Sequence, residues 1–368
     1  MRAVAIFPAT KQIRVMDNVP EPQIVASTDV KVRVLEVGVC GTDKDICAFD
    51  YGQPPAGYDY LIPGHEILAE VIAVGADVTR MKVGDLAYLM VRRPCQAPSC
   101  VACQSEHQDF CVTGQYTERG IKEAHGYLTE FVVDDQKYFA QVPEHLRSVG
   151  VLVDPITIVM KTLQEMNLVQ QRLPQSSQRT SPKKPRALVI GAGAVGLTGA
   201  MAIVKRGYET FVYSAGTTPE KEQIVQAIGA TYIGAEQCNV AQLIHQLKSV
   251  DFVYEAAGAS QLAFELMPIL NINGVFAFTG LPGKKGPFSV DTDRIMRDLV
   301  LKNQIIFGSV NASIHNCEAA VIDLNDYMTL WPETVSQLIS GRFPMEAYAH
   351  LASNRSVGIK NIIQISKT

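Results

Sequence analysis

The sequence predicts an α/β protein built from a mainly β part and a doubly wound parallel sheet. Three observations carry this. The first 150 residues read as short β-branched or alternating runs broken by Gly, Pro and Asp. Beyond Arg186, apolar runs alternate with helix-like segments, the pattern of βαβ units. Between the first of those runs and its helix stands Gly191-Ala-Gly193-Ala194-Val195-Gly196.

Length and composition bound the problem. At 368 residues the chain exceeds one ordinary core. An apolar fraction of 47% with 19% charged residues excludes disorder. Lys+Arg 33 against Asp+Glu 37 leaves no basic footprint, which argues against nucleic acid as a partner. The N-terminus breaks its apolar run early and lacks a small-residue cleavage site, so export is not indicated. Ala187 to Val204 carries no charge over nearly a membrane span, but its four glycines read as a buried strand, loop and helix, so no membrane partner is expected.

In chain order, Val30–Val37, Leu68–Val74 and Leu128–Val133 read as strands. Gly150 to Val169 is helical in pattern, and Gln170–Arg186 is a Pro/Ser/Gln-rich surface connection. RALVI, TFVYS, ATYIG, DFVYE and GVFAF then supply parallel strands, and Leu197–Lys205 a small-residue helix. After Phe307 comes a mixed tail with a helical stretch at Cys317–Met328 and a final strand, NIIQI.

The glycine loop has a specific physical reading. Its first glycine makes the tight turn, the second lets backbone N–H groups approach a pyrophosphate, and the third lets helix and strand pack closely. The helix N-terminus favours the negative charge. Where the next strand ends, Ser214-Ala-Gly-Thr217-Thr218 offers no acid to the ribose hydroxyls. That permits NADP, with Ser214 and Thr217 as donors, yet no Arg or Lys stands in the loop, so NADP or NAD both remain open.

Eight cysteines are unevenly placed. Cys95-x4-Cys100-x2-Cys103-x7-Cys111 supplies four thiolates in one short segment, enough for a closed tetrahedral structural Zn²⁺ site. Clustering of this kind without an export signal favours metal over disulfides and a reducing cytoplasm. A second set, Cys40-Gly-Thr42-Asp43, His65-Glu66 and Asp154-Pro155, has the donor types of a catalytic zinc, but its spacing alone does not join the pieces. Cys47, Cys238 and Cys317 have no assigned role.

The order Gly38-x-Cys40-Gly-Thr42-Asp43, Pro63-Gly-His65-Glu66, Gly84-Asp85, the four-cysteine lobe and then the glycine loop resembles the zinc-dependent medium-chain dehydrogenase/reductase family over essentially the whole chain. Gln108-Asp-Phe-Cys111, Glu118-x-Gly-Ile121, His125-Gly-Tyr and Gly308-Ser-Val310-Asn311 are most similar to its glucose dehydrogenase branch. The resemblance implies a GroES-like catalytic domain with its connector over residues 1–183, a Rossmann domain over 184–307, and a return to the catalytic domain over 308–368. It implies that Cys40 and His65 bind the catalytic zinc, with Glu66 a ligand or close partner and Asp154 in a place usually held by Glu or Gln. Thr42 would relay the alcohol proton, and Glu118, Asn311 and the zinc-side carboxylate Asp154 would meet sugar hydroxyls. Ala257, Thr279 and Val310, with Asn311, would border the cofactor.

Three departures stand out: Asp154 is a methylene shorter than Glu, four residues separate Cys95 from Cys100 where two are usual, and Ala69 replaces a glycine. The implied activity is oxidation of an aldose, D-glucose foremost, at C1 to the lactone with hydride transfer to NAD(P)⁺. A polyol or secondary-alcohol dehydrogenase of the same family is the alternative, and a non-catalytic cofactor or zinc sensor the further one. A homodimer or homotetramer is implied, through the sheet edge around Gly286–Asn303.

Overall fold

The computed structural model describes residues 1–174, 184–216, 218–283, 286–353 and 358–366. It forms two compact units, Met1–Thr157 with Asn311–Thr368, and Ile158–Val310. The division falls inside the helix Val153–Gln170 rather than in the polar connector. The later turns of that helix are tied to the second unit, for example by Lys161 Nζ donating to the Val310 carbonyl at 2.8 Å and Gln170 Nε2 to that of Asn273 at 2.9 Å.

The first unit is organised by the strand Asp29–Gly38. Its Val30, Val32, Val34, Leu35 and Val37 are all buried, as the apolar, mostly β-branched residues of a central strand demand. In spatial order the sheet runs Phe139–Val142, Leu86–Leu89, Glu66–Val74, Asp29–Gly38, Lys360–Gln364, Ile339–Phe343, with Phe131–Asp135 also pairing on Asp29–Gly38. Register decides the rest: Gly38 stands opposite Glu66 on one side and Ile362 on the other. The end of the central strand therefore delivers Cys40 between His65–Glu66 and Lys360. A separate small sheet, Arg92–Arg93, Thr117–Arg119 and Glu123–Ala124, carries the cysteine-rich segment between its first two strands.

The second unit is a six-stranded parallel sheet. In chain order its strands are Arg186–Ile190, Glu209–Ser214, Thr231–Gly234, Val250–Glu255, Leu270–Phe278 and Ile305–Gly308, and in space they lie 3-2-1-4-5-6. The order reverses beside the first strand, where doubly wound sheets bind ligands. Leu188, Ile190, Val253, Leu266 and Phe276 fill one core.

Two expected boundaries move for local reasons. The strand expected at Leu128–Val133 is Phe131–Asp135, because Tyr127 and Leu128 give their N–H groups to the Gly64 and Pro63 carbonyls instead of to the ladder. The helix expected from Leu197 begins at Ala194, with Gly193 as its N-cap. No helix among the described residues is long and apolar enough to cross a membrane.

Candidate active site and metal centres

Cys40 sits where the central strand gives way to the short helix Gly41–Cys47, and Asp43 stabilises this junction by accepting the Cys40 N–H at 2.8 Å. Asp43 is fully buried, receives the Tyr348 hydroxyl at 3.0 Å, and lies 4.0 Å from His65 Nδ1. One ligand atom from each of Cys40, His65 and Glu66 comes within 4.8 Å of the others. The structure thus joins two of the three pieces that spacing leaves apart, the Cys40 segment and His65–Glu66.

The electrostatics of this cluster suit a cation. Burial works against a charge on His65, but the Cys40 thiol and the Asp43 carboxylate outweigh it and hold its proton affinity well above the usual range. Burial, then the neighbouring Glu66, pushes the Asp154 carboxyl up to about 6. His65 Nδ1 is buried and has no hydrogen-bond partner. Thiol, imidazole and carboxylate converging in an excess of acidic groups is a donor set that fits Zn²⁺.

Two residues outside the sequence reading complete the cluster. Lys360 Nζ, 3% exposed, donates to both Glu66 oxygens at 2.7 and 2.5 Å and to the Val39 carbonyl at 3.3 Å. Burial alone would discharge Lys360; the Glu66 carboxylate keeps it charged. Tyr88 donates its hydroxyl to Asp154 Oδ1 at 2.7 Å, and Asp154 does not join the three-residue set among the described residues. Thr42 Oγ1 lies 3.9 Å from Cys40 Sγ.

The thiols of Cys95, Cys100, Cys103 and Cys111 also lie within 4.8 Å of one another, so the wider Cys95–Cys100 spacing does not prevent convergence. The short helix Val101–Gln104 and the 3-10 turn Gln108–Phe110 bring them together. Arg93 and Arg119 brace the base of this segment on partly buried Asp134, with contacts of 2.7 and 2.5 Å. Burial disfavours the Asp134 charge, but the two guanidiniums hold its carboxyl well below the usual carboxylate range.

Glu118 faces Arg92 across the small sheet. Its Oε1 receives Arg92 Nε at 3.1 Å, Arg92 Nη2 at 3.0 Å and Asn311 Nδ2 at 2.7 Å. Asn311 adopts φ +63°, and its Oδ1 accepts the Ala312 N–H at 3.1 Å. Three glycines fix this wall. A Cβ on Gly120 or Gly126 would meet the Gly64 carbonyl oxygen at 2.3 Å, so backbone packs directly on backbone between the His65 and Glu118 segments.

In the second unit, Gly191 turns at φ +106° after its strand, and a Cβ on Gly196 would strike the Gly191 carbonyl oxygen at 2.1 Å. By contrast a Cβ on Gly193 would meet nothing within 4 Å, leaving open space at the N-terminus of Ala194–Lys205. That cradle fits a pyrophosphate. Ser214 is buried at the end of its strand with its hydroxyl on the Ala215 carbonyl at 3.2 Å. Thr217 lies outside the described residues. Buried Glu255 accepts the Ala257 N–H at 2.9 Å, and Thr279 Oγ1 donates to the Glu255 carbonyl at 2.7 Å. Val310 is half exposed.

Comparison with known proteins decides the family. Residues 26–144 match the alcohol dehydrogenase GroES-like domain, and residues 147–365 match the glucose dehydrogenase C-terminus. A glucose 1-dehydrogenase of Methanocella arvoryzae is 34% identical over 368 residues, 99% of each chain. The chain belongs to the zinc-dependent medium-chain dehydrogenase/reductase family, in its glucose dehydrogenase branch. Another glucose 1-dehydrogenase, of Thermoproteus tenax, is 35% identical over 375 residues, again 99% of each. Among solved structures, Haloferax mediterranei glucose dehydrogenase in complex with NADP, Zn and gluconolactone superposes with a TM-score of 0.88 at 30% identity, covering 100% of both chains. In this glucose dehydrogenase-branch chain, Lys360, Tyr88 and Arg92 gave no signal in sequence, because their partners are 294, 66 and 26 residues away. Asp43 could have been found from its motif.

Proposed function

We propose that this protein oxidises D-glucose at C1 to the aldonolactone, transferring the hydride to NAD(P)⁺, with Cys40, His65 and Glu66 holding a catalytic zinc. The observation that carries this is the convergence of those three donors in the same compact unit as a buried carboxylate, Glu118, that matches a sugar. When bound, zinc supplies Lewis acidity toward the C1 hydroxyl oxygen and the nicotinamide accepts the hydride.

The chain's own residues do the rest. Cys40 and His65 provide two donors, the imidazole with Asp43 4.0 Å from its Nδ1, while Glu66 divides its carboxylate with Lys360. Thr42, beside Cys40, would accept the C1 hydroxyl proton on its Oγ1 as its own hydroxyl proton leaves toward the cofactor ribose. Glu118, Asn311 and Asp154 meet the remaining sugar hydroxyls; an unpaired buried donor or acceptor there costs about 1–3 kcal/mol, which disfavours an apolar alcohol. Gly191, Gly193, Ala194, Val195 and Gly196 cradle the pyrophosphate, with Ser214, Ala257, Thr279 and Val310 around the rest of the cofactor. The four-thiolate lobe holds a structural zinc.

A steady-state screen of aldoses and polyols with NAD and NADP, with and without a chelator, tests this reading. The expected result is glucose faster than sorbitol, loss of turnover on chelation, and about two zinc ions per chain. Faster turnover of sorbitol, or zinc confined to the lobe, would overturn it.

Assembly as a homodimer or homotetramer through 286–303 is part of the same reading. It is supported by Met296, Val300 and Leu301 on the helix Thr292–Leu301, which are 67%, 70% and 69% exposed. Light scattering on Val300→Asp should give a smaller species than the parent. A cytoplasmic location is supported by eight unbridged cysteines.

A further inference from the structure

We propose that Arg92 is a positioning residue for sugar recognition, which fixes Glu118 with one oxygen committed to protein and the other free for substrate, and ties that carboxylate to the thiolate lobe. The proposal rests on the reading of Glu118 as a sugar contact and adds what sets its geometry.

Three protein donors land on Glu118 Oε1: two from Arg92 and one from Asn311. Oε2 accepts none from the described residues, and it is not among the sealed, unpartnered atoms of the structure. A carboxylate that is 5% exposed as a residue therefore presents a single open oxygen. Such an oxygen accepts a hydroxyl proton without paying to reorient at the moment of binding.

Arg92 is itself fixed from every side. It is 5% exposed, and its guanidinium carbon lies 3.7 Å from the centre of the Tyr116 ring. Its remaining nitrogen, Nη1, donates to the Asp109 carbonyl at 3.2 Å. Asp109 belongs to the 3-10 turn Gln108–Phe110 that leads directly into Cys111. One planar fork thus joins the metal-ligating segment to the carboxylate that would read the sugar, a geometry that lysine's single ammonium does not reproduce. The expected consequence is that the order of the lobe sets the affinity for aldose without entering the chemistry.

The test compares Arg92→Lys, Arg92→Met and Glu118→Gln by steady-state kinetics with glucose, by NADPH-binding fluorescence, by zinc content and by thermal melting. Positioning predicts that Arg92→Met raises KM for glucose about tenfold or more, the scale of a lost charge-assisted contact. It predicts that kcat changes little and that NADPH affinity and the zinc count stay as in the parent. Arg92→Lys, which keeps the charge and tests the proposal if the methionine variant does not fold, should raise KM by a smaller factor in the same direction. If both Arg92 variants leave KM unchanged while Glu118→Gln raises it, the proposal fails and the sugar contact stands. Loss of zinc and stability with kcat and KM worsened together would make Arg92 a fold residue only, which also overturns it. An unchanged KM in Glu118→Gln would remove the sugar contact itself and the proposal with it.

Discussion

The two candidate metal constellations of the first unit are built on opposite plans. The lobe draws four like donors from a span of 17 residues, Cys95 to Cys111, and needs only two short turns to close. The other set gathers unlike donors, Cys40, His65 and Glu66, at the end of a buried strand, and places a buried lysine, a buried aspartate and a tyrosine-held aspartate around them. The lobe's ligands are saturated by one another's company. The mixed set is over-supplied with acidic groups and balanced by Lys360, which suits a centre whose charge changes during turnover. Local closure suits holding a loop; long-range assembly suits chemistry.

The sharpest way to break this contrast is His65→Ala. It should lower kcat/KM on the order of a thousandfold, the scale of losing a preorganised charge-stabilising group, while about one zinc per chain remains. Retention of activity and of both ions would erase the distinction between the sites. Lys360→Met comes next: it strands the Glu66 carboxylate, and breaking a buried pair costs about 3–5 kcal/mol. Urea unfolding should show that loss, and it should be larger in chelator than in zinc, because a second cation takes over the same carboxylate.

Cys100→Ser acts on the other plan. About one zinc per chain should be lost and the melting temperature should fall, with kcat held within about threefold because no ligand of the mixed set is touched. A collapse of kcat would show that the lobe takes part in turnover.

The smallest effect concerns the wall between the His65 and Glu118 segments. His125 stacks on Tyr60 with ring centroids 5.1 Å apart and accepts the Ile62 N–H on Nδ1 at 3.2 Å. Burial, and then Arg119, lowers its pKa from 6.5 to about 4. Because the folded value is depressed, the unfolded chain binds the extra proton first. Stability is therefore full above pH 6.5 and declines as pH falls toward 4. His125→Gln should flatten that part of a pH-melting curve, and an unchanged slope would remove His125 as its source.

Legibility in the sequence follows the same contrast. The glycine loop and the lobe are contiguous, and their chemistry is carried by backbone turns and by a single residue type, so spacing announces them. The texture of alternating apolar runs likewise announces the parallel sheet. Cys40, His65 and Asp154 are individually ordinary, and only family resemblance related them before the strand register brought Cys40 and His65 together. Lys360 was invisible because a lysine before a final strand reads as a surface residue until the sheet order sets it against Glu66. The resemblance implies that Glu118 and Asn311 are two separate sugar contacts; the structure joins them by a hydrogen bond on Glu118 Oε1, the oxygen that Arg92 also holds.

The backbone nest of Gly64, Gly120 and Gly126 works as a ruler. With no side chain to compress, the separation between the segment carrying His65 and the segment carrying Glu118 is set by peptide groups in contact. Retuning this protein toward a longer or shorter sugar is therefore a matter of exchanging side chains at fixed stations, because the rail on which those stations sit has no slack to give.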